Sequence, residues 1–286
     1  MIIVRAVGGL GNQMFQYAFY KSLCENNNHV MFDKSDYRIH NHHNGFEIES
    51  IFNVHYVEAS EGQIKKISFD KKSVLYRIAN KYFNVQLTKK SEYKEDKCIS
   101  NVKLKKYDKD IYFDGYWQAE KYFIDVSDQI RKEFVFKNKL DDRNRKLIKY
   151  LHDKNTVSIH VRRGDYLKEK SLVGVCDMSY YNKAIGMVKD KVSNPVFVFF
   201  SDDMLWVKEN FKLDDECIFV DWNTGSNSYK DMQLMSNCKH NIIANSTFSW
   251  WGAWLNNNDD KIVICPSKWS NDSEDNNLIS EKWKSI

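Results

Sequence analysis

Only two prolines occur in 286 residues, and the six cysteines are scattered with no Cys-x-x-Cys pair. So little proline leaves long stretches free to form uninterrupted helices and strands. The isolated Cys24, Cys98, Cys176, Cys217, Cys238 and Cys265 argue against a disulfide framework or a zinc ribbon. They read as reduced, mostly buried thiols of a cytoplasmic protein. No apolar run approaches the roughly 20 residues that a spanning helix needs. Met1-Ile2-Ile3-Val4 starts a strand with no charged, apolar and cleavage regions ahead of it, so no signal peptide is expected. The formal charge of +4 is too small to imply nucleic acid as a partner. What the chain does have is apolar material, 42% hydrophobic and 14% aromatic, enough for one large or two medium cores.

The stretch around which the chain is organised is His160-Val161-Arg162-Arg163-Gly164-Asp165-Tyr166. Thr156-Val157-Ser158-Ile159 alternates like a buried strand running into it. Two adjacent guanidiniums, a glycine and a carboxylate therefore stand at the C-terminal end of a strand, where open α/β sheets place their ligands. A guanidinium is a rigid fork that suits a pair of phosphate oxygens and stays charged when desolvated. Gly164 allows a sharp turn and close approach. Asp165 can fix one guanidinium or accept from a ribose or sugar hydroxyl. The plain alternative is a solvated turn, but His160 and Asp165 bracketing the pair favour a ligand site.

At the N-terminal end, Ile2-Ile3-Val4 is a short strand, followed by Gly8-Gly9-Leu10-Gly11 and then a helix marked by Phe15, Ala18, Phe19 and Leu23. Such a loop offers backbone N–H groups and a helix N-terminus to an anion or to sugar hydroxyls. Val30-Met31-Phe32 is a second strand, ended by Asp33. Gly9-x-Gly11 with Asp33 about 20 residues on approaches a dinucleotide-binding fingerprint, but Met14 occupies the place of its third glycine. His40, His42, His43 and His55 fit no standard zinc spacing and read as part of a polar loop lining a cleft. Residues 61–110 hold thirteen lysines and Arg77 against seven acids, a surplus of +7. That is either a solvated helical surface or a patch facing an anionic membrane or lipid phosphate. Ile111-Tyr112-Phe113 is a strand, Gly115-Tyr116-Trp117-Gln118 sets aromatics beside an amide, and Lys121–Phe136 reads as helix.

A charged boundary at 141–146 leads into a helix at 147–151 and marks a domain break near residue 150. Beyond it, strands at Thr156–Val161, Val196–Phe200, Ile218–Val220, Asn241–Ala244 and Lys261–Cys265 alternate with helices at Ser179–Lys191, Met204–Phe211, Ser228–Cys238 and Phe248–Leu255. This rhythm predicts a parallel sheet covered on both faces. Ser201-Asp202-Asp203 ends the second of these strands, where Asp202 could meet a base or ribose; the bland reading is a helix cap by Ser201 or Asp202. Asn245-Ser246-Thr247-Phe248 ends a strand and opens a helix, a place for a diphosphate, with Phe248 beside a base or sugar. Trp250 and Trp254 are expected in the core, and Asp231 and Asn237 are expected to help shape the pocket.

Three stretches, Gly8–Gln16, His160–Tyr166 and Asn245–Trp254, together resemble the α-1,2-fucosyltransferase family, glycosyltransferase family 11, of bacterial type. They lie in that family's order and span nearly the whole chain. The resemblance implies an α/β, GT-B-like architecture of two Rossmann-like domains with parallel sheets facing across a cleft. It implies residues 1–150 on the acceptor side and 151–275 on the nucleotide-sugar side. Residues 276–286 are expected as a helix packing back on the first domain. The resemblance further implies GDP-fucose as donor substrate with no separate cofactor, a galactose-containing oligosaccharide as acceptor, free or lipid-linked, inversion at the transferred sugar, and no metal. Surface-glycan synthesis and peripheral contact with the inner membrane surface complete the expectation.

Residue by residue, Arg162 and Arg163 are similar to donor-binding arginines supported by Asp165. Ser246, Thr247 and Phe248 resemble a nucleotide-contact run, and Asn12 resembles an asparagine near the reacting sugar. Arg162, Arg163, Asp165 and Asn12 are the expected catalytic residues. Gly9, Gly11, His160, Asp202 and Asn245 join the donor-binding set. For the general base, Asp33, Asp36, Glu47 and Asp165 are equal candidates. Two other classes stay in view, an NAD(P)-dependent oxidoreductase resting on Gly9-x-Gly11 and Asp33, and a non-catalytic carbohydrate-binding protein resting on the aromatic content.

Overall fold

The computed structural model describes residues 1–38, 43–69, 73–83, 87–95, 106–272 and 277–286. It divides into two compact units, Met1–Val135 and Phe136–Ile286. Each is built on one all-parallel sheet. Two parallel-sheet α/β units in series agree with the GT-B-like fold class expected from the sequence. The break, however, falls between Val135 and Phe136, before the charged stretch rather than near residue 150. The reason is that Asp141 caps the helix that follows, so the charges begin an element of the second unit.

In the first unit the chain runs β1 (Ile2–Arg5), α1 (Leu10–Asn26), β2 (Val30–Asp33), a 3₁₀ turn at Ser35–Arg38, α2 (Ile48–Ile51), α3 (Glu61–Ile67), α4 (Val74–Phe83), β3 (Glu92–Lys94), β4 (Ile111–Asp114) and α5 (Ser127–Glu133). The sheet order is β2-β1-β4-β3. Ile2, Ile3 and Val4 are buried because β1 is central, with β2 and β4 on its two sides. Helix α1 buries Met14, Phe15, Tyr17, Ala18, Phe19 and Leu23 completely, so it is a core helix rather than a surface one. The helix expected over 121–136 is instead two 3₁₀ turns, Glu120–Tyr122 and Ile124–Val126, followed by α5. Phe123 leaves the helical region at φ −137°, ψ 15°. Packing explains this: Tyr122 turns its ring onto Phe19 at 5.4 Å and Phe123 onto Phe15 at 6.2 Å. The basic segment contains α3, α4 and the edge strand β3, whose Glu-Tyr-Lys sequence carries no apolar signature.

The second unit runs α6 (Asp142–His152), β5 (Asn155–Val161), a 3₁₀ turn at Tyr166–Lys168, α7 (Met178–Lys189), β6 (Pro195–Ser201), α8 (Met204–Asn210), β7 (Cys217–Val220), α9 (Tyr229–Ser236), β8 (His240–Ile242), α10 (Thr247–Leu255), β9 (Val263–Cys265) and β10 (Lys284–Ser285). The order β10-β9-β8-β5-β6-β7 places β6 and β7 on one side of β5 and β8, β9 and β10 on the other. The direction of winding therefore reverses at β5, which opens a crevice beyond its C-terminal end. Apolar side chains cover both faces of this sheet. Val157, Ile159, Phe197 and Phe199 pack with Tyr181 and Ile185 on one face. Val198 and Phe200 pack with Leu151, Leu234 and Met235 on the other. Trp250 and Trp254 are buried core residues, as expected, with ring centroids 6.4 Å apart. Among the described residues 277–286 the expected helix does not form: Lys284 and Ser285 add a strand to β9 in the second unit's own sheet, in register with Ile264 and Cys265.

Candidate active site

The site in the second unit begins where β5 ends. Gly164 is required there because a Cβ would stand 2.6 Å from Asp202 Oδ2. Asp202 follows β6 and uses that closeness: its Oδ1 accepts the Arg163 backbone N–H at 2.9 Å, and its Oδ2 lies 3.2 Å from Arg162 Nη1. Arg162 Nη2 meets Asp165 Oδ1 at 2.8 Å. Arg162 is thus held between two carboxylates, while burial opposes and Asp202 and Asp165 favour its charge, with the net result that its pKa is raised. Arg163 turns the other way. Its Nε lies 3.3 Å from Asp203 Oδ2 and its guanidinium stacks 3.8 Å above the Trp206 ring of α8. Asp203, not Ser201 or Asp202, caps α8, by accepting from Trp206 N at 3.2 Å.

Tyr166 links Arg162 to the opening of α10. The Arg162 guanidinium lies 5.5 Å from the Tyr166 ring centroid, and Tyr166 Oη donates to the Asn245 carbonyl at 3.1 Å. Tyr166 also bonds the Ser246 side chain. Asn245 is anchored through Nδ2 to the Trp269 carbonyl at 3.1 Å. No side chain caps α10, so the backbone N–H groups of its first turn, including those of Thr247 and Phe248, keep their anion-binding capacity. His160 is buried with its ring 5.9 Å from that of Phe248. Burial first, then the nearby Arg162 charge, pushes its imidazole down to about 3, so it is neutral across the working range. Its Nδ1 has no hydrogen-bond partner. The structure thus gathers His160, Arg162, Asp165, Asp202, Asn245, Ser246, Thr247 and Phe248 around one strand-end crevice, with Arg163 at its α8 margin.

Asp231 stands in the first turn of α9, at the same edge of the sheet. Asn223 Nδ2 donates to its Oδ1 at 2.8 Å. Asn223 is fixed in turn by a reciprocal amide pair with Asn144, at 2.8 and 3.1 Å. Burial pushes the Asp231 carboxyl up to about 7 against the lowering effect of Asn223. Asn237 does not belong with it. It is the C-cap of α9, at the opposite end of that helix, where its Oδ1 meets His152 Nε2 at 3.3 Å. Sequence reasoning passed over Tyr166 as a bridge and Asn223 as an orienting amide; neither has a local signature, since their partners lie 79 residues away.

Asn12, Gly9 and Gly11 form a separate cluster in the first unit, beyond β1. Gly8, at φ +85°, makes the turn, Gly9 is the N-cap of α1, and Gly11 is inside the helix. Three buried or half-buried amides hold this loop. Gln13 Nε2 donates to the Gly8 and Gly45 carbonyls at 3.1 and 2.8 Å. Gln13 Oε1 accepts from Glu47 N and Ile48 N at 2.9 and 3.1 Å. Gln16 links Val7 N to the Gly115 carbonyl, at 3.0 and 3.1 Å. Asn12 Oδ1 accepts from Gln118 Nε2 at 2.7 Å. The spacing of Asn12, Gln13 and Gln16 on one helical turn was the legible signal for this.

The base candidates are no longer equal. Asp33 is buried and both of its oxygens are in use, one from Ser35 N at 2.8 Å and one from Tyr112 Oη at 2.7 Å. This also removes it as the ribose-binding acid of a dinucleotide site. Asp36 pairs with Arg5 at 2.8 Å, and Asp165 pairs with Arg162. Among the described residues the Glu47 carboxylate accepts from the Asn44 amide alone, at 3.1 Å, and burial raises its pKa. Of the histidine group, His43 packs its ring on Gly9, His55 is exposed, and His40 and His42 lie outside the described residues. Among the described residues no group of three or more His, Cys, Asp or Glu side chains could hold a metal ion.

An alpha-1,2-colitosyltransferase of Escherichia coli is 35% identical over 300 residues, covering 100% of this chain and 99% of that one. The O-antigen biosynthesis glycosyltransferase WbnK of Escherichia coli is 35% identical over 297 residues, 96% of this chain and 97% of that one. The galactoside alpha-(1,2)-fucosyltransferase 2 of Rattus norvegicus is 25% identical over 264 residues, 89% and 67% respectively. Nothing among these matches speaks for an oxidoreductase. The family model of glycosyl transferase family 11 matches residues 1–286, the entire sequence, so the chain belongs to that family and is a glycosyltransferase.

Proposed function

We propose that this glycosyltransferase moves L-fucose from GDP-fucose to the 2-hydroxyl of a galactose-type acceptor, with inversion and without a metal, in the synthesis of a surface glycan. The observation that carries the reading is Arg162, clamped by Asp165 and Asp202 at the end of β5, with Tyr166 of the same loop bonded to Asn245 just ahead of the uncapped start of α10. The acceptor oxygen attacks the anomeric carbon of β-linked fucose, the bond to the GDP β-phosphate breaks, and an α linkage forms. Negative charge grows on the departing phosphate. A fixed guanidinium and the backbone N–H groups of Thr247 and Phe248 can stabilise that charge without reorganising. Asp231, oriented by Asn223 through one oxygen, suits the paired N–H donors on the edge of guanine. Glu47 is the base we assign to the acceptor hydroxyl, because burial has raised its proton affinity and no cation among the described residues pairs with it.

The E. coli colitosyltransferase favours one second reading, GDP-colitose as the donor. Colitose lacks the 3-hydroxyl of fucose, so the choice depends on what contacts that position. Assays with both donors and galactose-terminated oligosaccharides, with the product linkage read by NMR, decide it. Transfer from GDP-fucose to O2 is expected. Transfer only from GDP-colitose, or a linkage other than α-1,2, would overturn the first reading.

Peripheral contact of the basic segment with an anionic membrane is part of the same proposal. Lys65, Lys66, Lys81 and Lys90 are exposed, and α4 presents Ile78 and Tyr82, one turn apart, at 43% and 69% exposure. Among the described residues no helix is long and apolar enough to cross a membrane. Binding to acidic vesicles at low salt with release at high salt is expected. Equal recovery with neutral and acidic vesicles would remove the idea.

A further inference from the structure

The turn after β4 carries a backbone conformation that its sequence does not favour. Trp117 sits at φ +55°, in the left-handed region, although it is neither glycine nor asparagine. Several contacts force it there. Its ring is fully buried and stacks on Phe19 of α1, with centroids 4.3 Å apart and planes 12° from parallel. The N–H groups of Tyr116 and Trp117 both donate to Glu95 Oε2, at 2.7 and 2.9 Å. Gly115 makes room for Glu95, since a Cβ there would lie 2.5 Å from Glu95 Cβ. Gln16 Nε2 holds the Gly115 carbonyl from the other side at 3.1 Å. Strained residues persist only where their surroundings over-determine them, and the useful question is what the strain positions.

The residue it positions is Gln118. The left-handed step at Trp117 brings Gln118 Nε2 to 2.7 Å from Asn12 Oδ1. The carbonyl end of the Asn12 amide is thereby occupied. Its Nδ2 end lies over Gly8, 2.5 Å from where a Cβ would be, and no protein acceptor among the described residues bonds it. An asparagine offers one acceptor and two N–H donors, and which end faces a ligand is set by what holds the other. We propose that Gln118 is a positioning residue: it locks Asn12 with its N–H donors outward, so that Asn12 meets the substrate only as a hydrogen-bond donor. The inference rests on the proposed placing of Asn12 at the reacting sugar. It has a direct consequence: Asn12 binds an oxygen that accepts, on the sugar or its leaving group, and takes no proton from the acceptor hydroxyl.

The test is a double-mutant cycle on Asn12 and Gln118, read by steady-state kinetics with GDP-fucose and a galactosyl acceptor and by a thermal melt of each variant. Asn12→Ala is expected to lower kcat by at least about tenfold, and Gln118→Ala by severalfold with donor KM and Tm little changed. Adding Gln118→Ala to Asn12→Ala is expected to cost nothing further, because Gln118 acts through Asn12. Gln118→Glu keeps the shape but cannot donate, so it draws the Asn12 N–H groups inward and is expected to be worse than Gln118→Ala. If the two alanine effects multiply, or Gln118→Glu keeps wild-type kcat, the inference is wrong while the fucosyltransferase reading stands. If Asn12→Ala is as active as wild type, the placing of Asn12 itself fails. Should Gln118→Ala not fold, Gln118→Met and Gln118→Glu, of matching length, complete the comparison with the same expectations.

Discussion

The two units end their central strands in opposite chemistry. Beyond β1 the groups are amides and glycines: Gly8, Gly9, Asn12, Gln13, Gln16 and Gln118. Arg5, at the end of β1, is paired with Asp36 and Asp114 at 2.8 and 2.6 Å. Beyond β5 the groups are charged: two arginines interleaved with Asp165, Asp202 and Asp203. Neutral amides can pair with hydroxyls without demanding a counter-charge, whereas fixed guanidiniums and an uncapped helix start demand an anion. In the proposed reading the same strand–loop–helix geometry therefore serves a sugar in one unit and a diphosphate in the other. What decides is the charge of the side chains, not the backbone.

The comparison breaks most readily at Arg162. Arg162→Lys keeps the charge but cannot span two carboxylates and a phosphate. Loss of one such donor is worth about 3 kcal/mol, so kcat should fall roughly a hundredfold. Arg163→Lys, which loses mainly its stack on Trp206, should change kcat by only severalfold. Steady-state kinetics with a melt for each variant checks both, and equal effects would show that the opposed orientations of the two arginines do not matter. In the first unit, Glu47→Gln should lower kcat by about ten- to a hundredfold. It should also abolish the fall in rate on the acid side, where protonation disables a base. A surviving acid limb would reassign the base.

Asp231→Asn should act in two directions. Its folded-state pKa, about 7, lies above the ordinary carboxylate value of 3.8. The folded protein therefore holds a proton that the unfolded chain has lost, and the group costs stability progressively as pH rises from about 4 to about 7. The amide removes that cost, so Tm should rise by a few degrees above pH 7 and not at all below pH 4. GDP affinity should fall by about tenfold at pH 8, since a carboxylate accepting two N–H bonds is lost. Calorimetry and a melt series over pH measure both. The smallest effect is expected from chelation. If the arginine-lined unit supplies all the charge stabilisation, excess EDTA should leave kcat within about twofold. Loss of activity restored by manganese or magnesium would mean that a cation shares the load of Arg162.

Much of this was legible because it is local. Period-2 and period-3.6 patterns marked β5, β6, β7, α7, α8 and α10 to within a residue or two. A glycine between arginine and aspartate at a strand end was legible, by spacing alone, as a candidate ligand loop. Elements without an apolar signature were missed. β3 and β10 are polar edge strands that exist because a neighbour offers free backbone groups, so nothing in Glu92-Tyr93-Lys94 or Lys284-Ser285 announces them. The helix expected over 121–136 failed for the converse reason, since Tyr122 and Phe123 gain more by burying their rings against α1 than by continuing a helix.

The sequence by itself determined the class of fold, the three motif-bearing loops and the kind of chemistry each could do, because strand, glycine turn and helix start follow from residue type over a few positions. Only the tertiary structure decided which way each side chain points. That Arg162 is clamped between Asp165 and Asp202 while Arg163 turns to Asp203 and Trp206 depends on the end of β6, some 40 residues away, presenting Asp202 and Asp203. That Asp33 is spent on Tyr112, and that Asn12 is turned by Gln118, depends on β4 and its turn, 79 and 106 residues away. Donor and acceptor ends are assigned by partners, and partners at that distance are brought together only by packing.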